Sequence, residues 1–259
     1  RSFSKDALDK AALKNFPGKY HLLIIVPARG GSRRIPQKNI KTICGQPMIY
    51  WPLMELSKEF LSSQILVSTD NSEVISTVEK KGIKVPFVRP QSLSDDFTGT
   101  MAVATHALAW FEKNLSAVDY VLIVYPTAVL LNINDISTAF SFLKNDDNCD
   151  CVMSATNFVF PIQRAMFQNG EGYAQMFKPE NLMSRSQDLV EAMHDAGQFY
   201  LYRSRAVRAG KDLNKSNVKL QLLDRNKVVD IDTLEDFDVA ETRMKMLGLD
   251  QTNFDWKVF

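Results

Sequence analysis

From Leu22 to Val26 the chain is apolar throughout, and Pro27 and Ala28 carry it directly into Arg29, Gly30, Gly31, Ser32, Arg33 and Arg34, with Lys38 and Asn39 close behind. An apolar run of this length, bounded by turn residues, reads as a buried strand. The fold must therefore deliver a strongly cationic loop to the end of a core element. Four cations, Arg29, Arg33, Arg34 and Lys38, fall within ten residues. Glycine has no Cβ, so a polyanion can approach the backbone and successive loop N–H groups can point at phosphate oxygens. Arginine adds a planar fork and lysine a point charge. The spacing is not the Walker A pattern, which ends in Gly-Lys-Ser/Thr, nor the Gly-x-Gly-x-x-Gly of dinucleotide folds. It points to a nucleoside triphosphate held by a different loop; the alternative is a basic surface turn.

Strand and helix patterns alternate through the first half. Strands are expected at 22–27, 64–69, 120–125 and 151–155, with helices at 47–61, 72–81, 100–114 and 133–144. Such alternation implies right-handed crossovers between parallel strands, hence an α/β fold with a doubly wound, mostly parallel sheet. Ligands of these sheets lie beyond the carboxyl ends of the strands. The cationic loop, Thr69-Asp70 and Tyr125-Pro126-Thr127 all fall at such ends. The rhythm breaks over 157–195, rich in Gln, Asn, Gly, Met and Phe, which reads as an inserted excursion: a β-ribbon, or a dimerisation and substrate arm over the site. Strands are expected again at 197–202 and 228–231, then a final helix with Thr233 as N-cap and Asp236 three residues on. The expected organisation is an N-terminal extension (1–20), one domain (21–249) containing the arm (157–195), and a tail (250–259).

Within the extension, Leu8, Ala11, Ala12 and Phe16 share one helical face, predicting a short amphipathic helix. It has neither the apolar core of a secretory signal nor, with Asp6 and Asp9, the acid-poor composition of a transit peptide. The chain does not begin with Met, which is read as processing or excision from a longer polypeptide. A formal net charge of +1 argues against nucleic acid as partner, and no apolar run approaches the length of a membrane span. Three cysteines, Cys44, Cys149 and Cys151, cannot build a disulfide framework and suit a reducing, cytoplasmic setting; Cys149-x-Cys151 has no histidine nearby to suggest a metal.

Asp230-Ile231-Asp232 supplies the opposite charge. On a strand, residues two apart share a face, so both carboxylates would point together while Val229 and Ile231 point inward. Two adjacent anions at a phosphate site call for a cation between them. Mg²⁺, which favours one or two carboxylates plus phosphate oxygens, fits. The alternative is that Asp232 merely caps the following helix.

The strings IVPARGGSRRIPQKN (25–39), VSTD (67–70), YPT (125–127) and VDIDT (229–233) resemble the cytidylyltransferases that activate nonulosonic acids as CMP-sugars. The resemblance spans about 21–247, and LSDDFTGT (93–100), FPIQRA (160–165), RSQD (185–188) and HDAGQFY (194–200) resemble the pseudaminic acid branch. It implies a Rossmann-like nucleotidyltransferase fold, CTP as co-substrate, Mg²⁺ as cofactor and a homodimer whose 157–195 arm reaches the neighbouring site. It also assigns residues. Ala28, Arg29, Gly30, Ser32, Arg33, Lys38 and Asn39 match positions around the triphosphate and ribose, with Arg33 where many members have Lys. Arg89 and the backbone near Thr98 match the segment that reads cytosine. Asp230 and Asp232 match the metal pair, and Arg185 matches an arginine near the acidic sugar. Members acting on sialic acid usually have Gln in place of Tyr125 and an Arg-Pro-Asn-Gly run in place of His194-Asp195-Ala196-Gly197, so the sugar pocket differs. Val129 stands where a proline is common.

The implied reaction is attack of the sugar's anomeric hydroxyl on the α-phosphorus of CTP, with pyrophosphate leaving. Catalysis falls to Arg29, Arg33, Lys38 and Asp232, by positioning and charge neutralisation. On the substrate side stand Tyr125, Gln163, Arg164, Arg185, His194 and Gln198. Gln163 and Arg164 are candidates for the sugar's amide and carboxylate. Phe158, Phe160, Pro161 and Tyr125 would supply an apolar wall for its acyl methyls, or Phe158 and Phe160 pack in the core. His194 has three readings: general base, sugar hydrogen bonding or packing. The rival functions are the same transfer to sialic acid, legionaminic acid or KDO, and a catalytically silent nucleotide-binding module.

Overall fold

A computed structural model describes residues 22–251, so the expected helix around Leu8–Phe16 and most of the tail lie outside the described residues. The first strand, β1 (Leu22–Pro27), is buried along nearly its whole length. Leu22, Ile24 and Val26 enter one core cluster, while Leu23 and Ile25 enter a second on the opposite face of the sheet. A strand buried on both faces belongs in the middle of a sheet covered by helices on each side. After a small hairpin, β2 (Thr42–Ile43) and β3 (Gln46–Pro47), the chain adds β4 (Ile65–Ser68), β5 (Tyr120–Val124) and β6 (Cys151–Asn157). Then come an outlying ribbon, β7 (Met166–Gln168) with β8 (Ala174–Met176), a long β9 (Met193–Arg203) and β10 (Val218–Leu222).

The main sheet has six strands in the order β10-β6-β9-β5-β1-β4. All pairings are parallel except those of β9, which runs against both β5 and β6. Helices α1 (Tyr50–Ser57), α2 (Ser72–Glu79) and α4 (Ile133–Lys144) cover one face, and α3 (Thr100–Asn114) with α5 (Ser204–Arg208) covers the other. The sheet is thus doubly wound and mostly parallel, as the alternation of patterns implies. The excursion over 157–195 contains the β7–β8 ribbon among short turns, as a break in periodicity predicts.

Two departures from the sequence reading matter for the site. Residues 228–231 form no strand. The backbone groups there are taken by side chains instead of a ladder: the Val228 carbonyl accepts from Arg243 (2.6 Å), the Ile231 carbonyl from Lys38 Nζ (2.8 Å), and the Asp232 N–H donates to Asp236 (3.1 Å). Buried backbone polar groups need partners, but side chains serve as well as a neighbouring strand. The inward–outward alternation survives, because Ile231 is fully buried. The second departure is β9, which is longer than 197–202 and bulged. Met153 pairs with Tyr200 but Ala155 pairs with Asp195, so β9 carries extra residues there. Ser154 Oγ accepts the freed N–H groups of Gln198 (3.4 Å) and Phe199 (3.0 Å).

The last helix, α6 (Leu234–Met246), opens on the expected capping box: the Asp236 N–H donates to Thr233 Oγ1 (3.2 Å), and Asp236 accepts from the Thr233 N–H (2.8 Å). The Thr233 hydroxyl holds the Asp236 carboxyl below its ordinary value. That contribution is complete above the ordinary carboxylate pKa of about 3.9 and is lost as pH falls through the lowered folded value. Thr233→Ala is expected to cost about 1 kcal/mol, read as a lower urea midpoint at pH 7, and to flatten the loss of stability on acidification.

Candidate active site

The carboxyl ends of β1 and β5 meet at a cleft of about 490 Å³; Thr69 and Asp70, after β4, do not line it. Of the residues named from sequence, Arg29, Ser32, Arg33, Lys38, Asn39, Arg89, Thr98, Tyr125 and Asp232 line it. Arg34, Asp96 and Thr100 line it too.

The loop's shape follows from its residues. The Gly30 N–H donates to Asp70 at 2.8 Å, fixing the turn against the end of β4. A Cβ on Gly30 would come within 2.8 Å of the Asn71 side chain, so the close approach requires glycine. Asn39, nearly buried, donates its amide to the Arg29 carbonyl (2.9 Å) and closes the loop on itself. Ile35 then anchors the loop in a third core cluster with Trp51, Val129, Ile231, Phe237 and Met244. Val129, where a proline is common, packs in that cluster.

Every cation of the loop meets an anion. Arg29 and Arg33 both bond Asp96, at 2.7 and 2.6 Å. Arg34 and Lys38 both bond Asp232, at 2.7 and 3.2 Å. Asp95, next to Asp96, accepts from the N–H and hydroxyl of Thr98 (both 2.7 Å), which keeps its carboxyl below the usual range and shapes the turn that presents Asp96. Asp230 projects beside Asp232. It is exposed by surface area, yet partial desolvation, and then the neighbouring Asp232 charge, push its carboxyl up.

Arg89 is 4% exposed, donates to the carbonyls of Ser68 and Leu93, and has a buried Nε without a partner among the described residues. Desolvation lowers its pKa. Tyr125 bonds Thr100 through its hydroxyl (2.8 Å) and meets the Tyr200 ring edge-on; Tyr200 in turn donates to Asp195.

The remaining sequence candidates, Gly30 and Asp230 among them, do not line the cleft. Ala28 is fully buried, and its N–H donates to the Ser68 carbonyl at 2.9 Å. Gln198 is buried and donates to the Lys227 carbonyl (2.5 Å). His194 lies against the Phe158 ring with Nδ1 at 2.8 Å from the Asp195 carbonyl. Gln163 and Arg164 bond Val190 and Ser186 within the arm, and Arg185 pairs with Asp188 at 2.7 Å. Phe158, Phe160 and Pro161 border a separate hollow in the arm and do not meet Tyr125. Sequence reasoning counts Arg34 among the loop's cations without giving it a site role, and singles out neither Asp96 nor Thr100, although both lie inside the string at 93–100.

The family model described as Cytidylyltransferase matches residues 23–237. The chain belongs to the cytidylyltransferase family. It is 38% identical over 225 residues to a pseudaminic acid cytidylyltransferase of Campylobacter jejuni, covering 86% of this chain and 96% of that protein. A CMP-N,N'-diacetyllegionaminic acid synthase of Legionella pneumophila is 24% identical, over 87% of this chain and 97% of that one. Among solved structures, a CMP:2-keto-3-deoxy-manno-octonic acid synthetase complexed with CTP superposes with a TM-score of 0.64 at 17% identity, over 88% of this chain and 99% of that one. That likeness establishes a shared fold.

Asp96 occupies the guanidinium groups of both Arg29 and Arg33. Both guanidiniums are substantially exposed, so each pair is worth about 0.2–1 kcal/mol and exchanges readily for a polyanion. Asp96→Asn is therefore expected to tighten CTP binding about three- to tenfold, measured by titration calorimetry without acceptor sugar. Weaker binding would mean that Asp96 holds the arginines in place for the nucleotide.

Proposed function

We propose that this cytidylyltransferase transfers CMP from CTP to the anomeric hydroxyl of pseudaminic acid, forming a CMP-activated sugar and pyrophosphate. The observation that carries the reading is the convergence of the cationic loop and Asp232 on one cleft, joined by the contacts of Arg34 and Lys38 with Asp232. Similarity to proteins named for pseudaminic acid at 38% identity, against 24% for the legionaminic acid synthase, favours that sugar.

In this reading Arg29, Ser32, Arg33, Lys38 and Asn39 hold the triphosphate and ribose. Arg89, with its unpartnered Nε, and the backbone at Thr98 face the cytosine. The anomeric oxygen forms a bond to the α-phosphorus as the bond to the bridging oxygen breaks. The charge growing on pyrophosphate falls on Arg29, Arg33 and Lys38, whose preset geometry makes this stabilisation effective.

Asp230 and Asp232 fit a hard divalent cation. They are adjacent oxygen donors, and after desolvation the Asp232 charge is what pushes the Asp230 carboxyl up, a repulsion that a cation would relieve. Mg²⁺ suits such a site because it takes one or two carboxylates and completes its shell with phosphates and water. When bound there, it supplies charge neutralisation and acidifies a coordinated oxygen.

The 157–195 arm exposes Phe160, Met183 and Val190, each at least 80% accessible, which supports a homodimer in which the arm completes the neighbouring site with Gln163, Arg164 and Arg185. Among the described residues no helix is long and apolar enough to cross a membrane. Three unpaired cysteines support a reducing, cytoplasmic setting.

Incubating the enzyme with CTP, Mg²⁺ and pseudaminic, legionaminic, sialic acid or KDO, with pyrophosphate release as readout, should give the highest kcat/KM for pseudaminic acid. Preference for another acid would reassign the sugar, and CTP binding without turnover on any of them would favour a silent module. Asp232→Asn should lower kcat by on the order of 100-fold or more with an unchanged far-UV circular dichroism spectrum; near-normal turnover would remove the metal assignment.

A further inference from the structure

A second cavity, of about 300 Å³, opens directly beside the nucleotide cleft and shares Thr100 and Tyr125 with it. The wall between the two is the Thr100–Tyr125 hydrogen bond, 2.8 Å long. Behind that wall the chamber is bounded by Ile123, Tyr200 and Tyr202 of adjacent strands β5 and β9, by Met101 at the start of α3, and by Leu213. Its lining is mainly ring faces and alkyl groups, with phenol hydroxyls and the Asn214 amide as polar points. Asp212 also borders it and disfavours an anion. A neutral group with an apolar end and one amide suits such walls; a carboxylate does not.

A chain of contacts links the chamber to the Asp230–Asp232 pair, which the proposed function places at the reacting acceptor. A Cβ on Gly197 would come 3.6 Å from Asp230, so the β9 bulge abuts the acidic pair. Within that bulge Asp195 accepts from both the Gly197 N–H (2.8 Å) and the Tyr200 hydroxyl. Tyr200 meets Tyr125 edge-on with centroids 5.7 Å apart, and Tyr125 is tied to Thr100. The sequence Asp195–Tyr200–Tyr125–Thr100 is one continuous wall, fixed at both ends, running from the acidic pair to the mouth of the chamber.

We propose that this chamber receives an N-acyl group of the acceptor sugar, and that Tyr125, held by Tyr200 and Asp195, is a specificity-determining residue for acylamido nonulosonic acids. This rests on the acceptor being such an acid. The acyl-binding role that the sequence assigns to Phe158, Phe160 and Pro161 together with Tyr125 falls in this chain to Tyr125, Tyr200 and Tyr202.

The test uses the purified full chain with CTP, Mg²⁺ and acceptors bearing N-acetyl, N-propanoyl or N-butanoyl groups. Because the volume exceeds what an acetyl group fills, each lengthening should lower wild-type kcat/KM less than about tenfold, the smallest loss expected where one extra methylene meets a close-fitting pocket. Leu213→Trp, which fills the chamber from its far side, should raise KM for the N-acetyl acceptor about tenfold or more and abolish tolerance of the longer groups. CTP affinity by calorimetry should stay within about twofold, since Leu213 does not line the nucleotide cleft. Met101→Phe fills the same space from another wall and serves if the tryptophan variant does not fold. A steep wild-type loss on going from acetyl to propanoyl, or a filled chamber with unchanged acceptor KM, overturns the inference. If wild type turns over no acylamido nonulosonic acid, the functional reading itself fails, and the two failures are thereby told apart.

Discussion

Ile35 sits between Arg34 and Pro36 in the cationic loop, and Ile231 sits between Asp230 and Asp232; both side chains are fully buried in the same small cluster. Full burial of such a side chain stabilises by about 1.5–3 kcal/mol. The ion pairs above it, Arg34–Asp232 and Lys38–Asp232, involve partly exposed groups and contribute at most about 1 kcal/mol each. The opposite charges are therefore held at one cleft by the apolar residues threaded among them rather than chiefly by their mutual attraction. This frees the charged groups to exchange partners when a ligand arrives, without loss of the frame.

Such exchange is what the electrostatics of the cleft provide for. A loop with four unpaired cations facing one another would be self-repelling and would attract any polyanion. Asp96 and Asp232 each bridge two of them, giving neighbouring like charges a shared counter-ion. Asp232 stands at the junction of both requirements. It balances Arg34 and Lys38 and lies beside Asp230, its partner in the proposed cation site.

The reversed strand β9 carries the other half of the design. Antiparallel to both neighbours, it brings its early residues to the same sheet end as the carboxyl termini of β1 and β5. Its bulge there sets Asp195 and Gly197 against the acidic pair and Tyr200 against Tyr125. The cationic side of the cleft is thus built by loops after parallel strands, and the aromatic wall beside it by an irregularity in the one reversed strand among the described residues of the main sheet.

Local physics made much of this legible without coordinates. The buried β1 and its glycine loop, helices at 100–114 and 133–144, and the Thr233–Asp236 capping box depend on side-chain periodicity and turn chemistry within a few residues. The alternation around Asp230 and Asp232 was legible too, but its assignment to a strand was not sound, because period two reports which side chains are buried and says nothing of whether a neighbouring backbone is there to pair. That the loop's cations pair with Asp96, 63 or more residues away, that Gln198 turns to the Lys227 carbonyl and that Phe158 parts from Tyr125 were decided only when the chain closed. The sequence alone determined the strands and helices of the first half and the cationic loop after β1, since those rest on neighbours in the chain. Only the tertiary structure decided which charges meet and which aromatic residues share a wall, since those depend on distances between segments that local pattern does not encode.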